Sequence, residues 1–77
     1  NSRVGAFKSP DGKQLVVMVA NDSDNVETIN IDCGYKYKSS IVRQSVEGGE
    51  YFKTLKEGFK QGMKIPANSL TTIVLNL

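Results

Sequence analysis

No apolar run in this 77-residue chain is longer than six residues, and turn-forming clusters separate the runs. The longest, Leu15 to Ala20, has the length of a strand and falls far short of the roughly 20 residues a membrane-spanning helix needs. Valine and threonine are abundant, and no stripe of apolar residues recurs at the 3.6-residue period of a helix. These features predict an all-β fold: one domain over residues 1–77, an antiparallel two-sheet β-sandwich of about seven strands, immunoglobulin-like in size. The expected strands are Arg3–Lys8, Gln14–Ala20, Val26–Asp32, Ser40–Val46, Tyr51–Leu55, Phe59–Ile65 and Leu70–Asn76. The third continues through Cys33 and Tyr35 if Gly34 forms a bulge. Ser9-Pro10-Asp11-Gly12 is a well-specified turn, because proline presets φ and glycine supplies a positive φ.

Several kinds of chemistry are excluded by composition. The chain has no histidine and a single cysteine, Cys33. It therefore makes no internal disulfide, no cysteine-based metal site, no Ser-His triad and no imidazole base, and no cofactor is expected. Ten basic and eight acidic residues are mixed along the chain, giving a net charge of +2 without the clustered basic stripe of a nucleic-acid binder. The chain starts on Asn1-Ser2-Arg3, which reads as a piece excised from a longer protein, so the lack of an export signal says nothing about location.

Three constellations are candidates for chemistry. Glu47 and Glu50 flank Gly48-Gly49 and resemble the carboxylate pair of a glycosidase, yet nothing apolar stands beside them to raise a pKa, and solvated turn residues are the simpler reading. Asp22 and Asp24, with Asn21 and Asn25, offer alternating oxygen ligands but lack the glycine and terminal glutamate of a calcium loop, so a plain turn is again simpler. Asn21-Asp22-Ser23 is also a formal glycosylation sequon. Tyr35 and Tyr37, two apart on extended chain, share a face; with Tyr51 and Phe52 they could stack on a sugar or simply pack against the rim of the core.

Two strands depart from the apolar-in, polar-out alternation of a sandwich. Leu15, Val17 and Val19 lie on one face of the second strand, and Val16, Met18 and Ala20 on the other. In the last strand Ile73 and Leu75 oppose Leu70 and Val74. If the first and last strands flank the second, the surplus apolar side chains form a patch, and Val16 and Met18 become candidate interdomain docking residues.

Two patches carry a family resemblance. Ala6-Phe7-x-x-Pro10-Asp11-Gly12 followed by the strand Leu15–Asn21, and Ile65-Pro66-Ala67-Asn68-Ser69-Leu70-Thr71-Thr72 near the other end, together resemble the C-terminal β-sandwich domain of glycoside hydrolase family 30. The likeness runs from about Val4 to Leu77 and is loose in its middle third. It implies an accessory sandwich packed on a catalytic (β/α)₈ barrel of the same polypeptide and completed by a strand from before that barrel. It also implies an extracellular or cell-surface setting. No catalytic residue carries over onto this chain, and the substrate of the parent enzyme stays open. An independent carbohydrate-binding module and an immunoglobulin-like interaction domain are the rival readings.

Overall fold

A computed structural model describes residues 2–31, 36–49, 53–55 and 57–77. Its described elements are seven strands: β1 (Ser2–Lys8), β2 (Gln14–Asn21), β3 (Glu27–Ile29), β4 (Ser39–Val46), β5 (Lys53–Thr54), β6 (Met63–Ile65) and β7 (Ser69–Asn76). A five-stranded sheet runs in the order β1-β2-β7-β4-β5, and β3 and β6 form a two-stranded sheet. Every pairing is antiparallel. The chain is an all-β sandwich with one large layer and one small one.

The four long strands match the expected ones to within a residue at either end. The other three are shorter than expected. The third strand spans only Glu27–Ile29, the length over which β6 pairs with it. β6 covers only Met63–Ile65, since Phe59 and Lys60 belong to a loop that crosses under β4. There the Phe59 amide donates to Ser40 Oγ at 2.8 Å, and a Cβ on Gly58 would run into that hydroxyl and the Ser40 carbonyl. β5 keeps two residues of the expected Tyr51–Leu55 strand, of which Tyr51 and Phe52 lie outside the described residues, as do Cys33 and Gly34.

The core lies between the layers. Leu15, Val17 and Val19 of β2, Ile73 and Leu75 of β7 and Val42 of β4 face Ile29, Ile65 and the loop residue Phe59. Alternation along β7 is strict, with buried residues at Ser69, Thr71, Ile73 and Leu75. The buried Thr71 hydroxyl accepts a hydrogen bond from Gln44 Nε2 at 3.1 Å. The small sheet does not reach across β1, so Val4 and Ala6 stay exposed. They border an open hollow of about 250 Å³ shared with Leu15, Val17, Ile29 and Ile31.

The first hairpin turn follows its residue chemistry. The Gly12 amide donates to the Ser9 carbonyl at 2.9 Å, and Gly12 adopts φ 72°. The Asp11 carboxylate accepts from the Ser9 hydroxyl (2.6 Å) and the Lys13 amide (3.0 Å). These bonds, the hydroxyl's first, hold its pKa below the ordinary carboxylate value.

At the other end of the large sheet a polar residue joins three segments. Asn21, read from sequence as part of a turn, ends β2 pointing inward with only 1% of its surface exposed. Its Nδ2 donates to the carbonyls of Asn25 (2.9 Å), Pro66 (3.0 Å) and Ile65 (3.3 Å). Its Oδ1 accepts from the Ser23 amide (3.1 Å) and hydroxyl (2.7 Å). One side chain thus satisfies backbone groups of the β2–β3 and β6–β7 connections, and in this fold the amide of the Asn21 sequon is buried and engaged. Asn68 closes the second connection at φ 50°, a left-handed conformation asparagine tolerates. Its amide donates to the Ser23 carbonyl at 3.0 Å.

Replacing Asn21 with alanine removes the side-chain donor of the Ile65 carbonyl and one of the two donors at the Pro66 and Asn25 carbonyls, and the loss is expected on the order of 1–3 kcal/mol. Asn21→Asp is expected to lose at least as much, because a carboxylate cannot donate to those carbonyls. Urea denaturation of both variants checks this; wild-type midpoints would count against the role given to Asn21.

Candidate functional site

Of the candidate carboxylate pair, Glu47 and Glu50, only Glu47 lies among the described residues. Glu47 is exposed in the turn after β4, with Gly48 at φ 75°, and Glu50 lies outside the described residues. The Glu47 amide donates to the Asn68 carbonyl at 2.9 Å, which brings this turn beside the Asn21–Asn25 connection. Asp22, Glu47 and Asn68 consequently line one hollow of about 370 Å³. Asp24 accepts a hydrogen bond from Asn68 Nδ2 at 3.2 Å. Among the described residues no group of three or more His, Cys, Asp or Glu side chains is placed to hold a metal ion.

The tyrosine candidates divide. Tyr35 lies outside the described residues. Tyr37 is 37% exposed and meets Phe59 edge-to-face, with ring centroids 6.5 Å apart and planes at 63°. Part of its surface is therefore spent on the core, and the remainder is at the rim.

The larger feature is the outward face of the five-stranded sheet. Val16 is half-buried and Met18 is 39% exposed on the face of β2 opposite the core. Register extends this face sideways, since residues directly opposite on neighbouring strands share a side. Phe7 pairs with Val16, Val16 with Val74, and Val74 with Ile41. One apolar side chain from each of β1, β2, β7 and β4 thus stands in a single row across the sheet. Phe7 is 57% exposed and Ile41 is 40% exposed. Two further rows follow along the strands: Gly5, Met18, Thr72 and Arg43, then Arg3, Ala20, Leu70 and Ser45.

On the other side of the Phe7–Ile41 row the face turns polar at once. Gln14 Nε2 donates to Asn76 Oδ1 at 3.0 Å, and Asn76 Nδ2 donates to Ser39 Oγ at 2.9 Å. This hydrogen-bonded line marks where the apolar surface ends.

Val16, Met18, Leu70 and Val74 were visible in the sequence as a surplus of apolar residues. Phe7 and Ile41 were not, since each is the one large apolar residue on the outward face of its strand and joins the row only through the register.

Comparison with protein-family models, with curated proteins and with solved structures finds no match to this chain. The likeness to family 30 rests on its two sequence patches.

For Tyr37, alanine substitution is expected to cost about 0.5–1.5 kcal/mol through the lost ring contact, and phenylalanine far less. Any glycan affinity of the chain should be weak and should vanish with Tyr35 and Tyr37 both changed to alanine. Calorimetric titration with soluble oligosaccharides decides it; binding that survives the double change places the contact elsewhere.

Proposed function

We propose that this chain is a non-catalytic accessory sandwich of a glycoside hydrolase, and that the outward face of its five-stranded sheet packs against the catalytic barrel of the same polypeptide. The observation that carries the docking half of this reading is the row Phe7–Val16–Val74–Ile41, continued by Met18, Ala20 and Leu70. An outer sandwich face is ordinarily polar, and an apolar patch rimmed by polar residues is the mark of an interface. Fully burying one large apolar side chain contributes about 1.5–3 kcal/mol, and the exposed parts of Phe7, Met18, Ile41 and Leu70 together give a partner domain ample reason to stay docked. The attachment to a glycan-degrading enzyme, and with it an extracellular or cell-surface setting, is supported by the two family-30-like patches.

The incomplete small layer supports the same reading. Among the described residues β3 has β6 as its only strand neighbour, and beside it the inward side chains of β1 border the open hollow. A further strand laid against β3 would cover Val4 and Ala6, as the family resemblance implies for a segment preceding the barrel. The catalytic carboxylates belong to the barrel on this reading.

Changing Val16 to threonine and Met18 to lysine together tests the docking. The 77-residue chain should keep its fold and equal or better solubility, while a longer protein carrying the barrel should lose about 2–4 kcal/mol of stability or shed the contact. Unfolding of the short chain would assign both residues to its own core and refute the proposal. The short chain should also hydrolyse no aryl-glycoside or polysaccharide at high concentration; turnover abolished by Glu47→Gln or Glu50→Gln would contradict the assignment.

A further inference from the structure

We infer that the element seated on the outward face is an amphipathic helix lying along β2 and β7, with carboxylates on both of its margins. The inference rests on the docking reading above and names the chemistry of the partner. Val16, Met18 and Ala20 of β2 stand opposite Val74, Thr72 and Leu70 of β7 and make a two-strand column without a charge. At the rise of a strand this column is about 14 Å long, between two and three helical turns.

Arg3 and Arg43 flank the column one strand out on either side, Arg3 opposite Ala20 on β1 and Arg43 opposite Thr72 on β4. Three strand spacings separate β1 from β4, about 14 Å, which leaves room for a helix about 10–12 Å wide between the two guanidinium groups. The strands β1, β2, β4 and β7 contain no aspartate or glutamate. Both arginines are exposed, and among the described residues neither has an ion-pair partner. The face is therefore apolar along its axis and positive at both sides, and the matching helix is apolar along one stripe and acidic at both edges.

The same charges disfavour two other occupants. A second copy seated face to face would bring four arginines and no carboxylate into one interface. An anionic lipid surface is ordinarily met by clusters of about four to eight basic residues, and this face has two.

Two designed peptides of about 18 residues serve as probes, sharing one leucine-alanine stripe and bordered either by glutamates or by lysines. Titrated into the isotope-labelled 77-residue chain, the glutamate peptide should shift the amides of Val16, Met18, Thr72, Val74 and Arg43. It should bind about tenfold more tightly than the lysine peptide, and Arg3→Glu with Arg43→Glu should reverse the order. Equal affinities at this face overturn the charge inference and leave the docking reading standing. Shifts confined to other surfaces overturn the helix, while the Val16 and Met18 substitutions in the longer protein still judge the docking separately. Preferential binding to vesicles of phosphatidylserine and phosphatidylcholine overturns it in favour of a lipid partner.

Discussion

The antiparallel pairing of β2 with β7 is the interaction on which the rest of the molecule depends. All eight residues of β2 register against β7, from Gln14 opposite Asn76 to Asn21 opposite Ser69, and each strand has a further neighbour on its other side. Both strands are thus hydrogen-bonded along both edges, and their β-branched side chains suit a pleated surface buried on one side. On the core side they bring Leu15, Val17, Val19, Ile73 and Leu75 to one surface, and the small β3–β6 sheet is little more than a cover for it. On the other side the same two strands supply the apolar column that another element is proposed to cover.

Because so much is invested in one central pair, the ends of the sandwich need separate fastening. At one end a single buried amide, that of Asn21, ties the loops that lead into and out of the small sheet. Near the opposite end Gln61 plays a weaker version of that role: its side chain accepts from the Ile31 amide and donates to the Ile31 carbonyl. Such side-chain contacts supplement the three-residue ladder between β3 and β6. That is consistent with a layer awaiting another strand.

Those mechanics explain what could be read from the sequence. β2, β4 and β7 were legible because each carries a stretch of strand-forming residues bounded by turn chemistry, and β1 because the turn at Pro10-Asp11-Gly12 ends it. The surplus apolar residues of β2 and β7 were legible from period-two counting alone. The extents of β3, β5 and β6 were not, because a strand of two or three residues is set by what packs over it rather than by its propensity. Asn21 was legible only in part: its side chain bonds the turn it opens, as its residue type suggests, but its partners at Ile65 and Pro66 lie 44 and 45 residues away and make it a core lock as well. The Phe7–Ile41 row needed the register of three strand pairs, which pattern counting cannot supply.

The central claim is that the outward side of the β2–β7 pair is covered in the working protein. Oxidative footprinting of the two methionines measures this directly, because thioether oxidation follows exposure. Met18 lies on the outward face, and Met63 is half-buried on β6 beside the core. In the 77-residue chain Met18 should oxidise readily; in a longer protein that includes the barrel it should be strongly protected, with the Met63 rate unchanged. Equal oxidation of Met18 in both proteins would contradict the account.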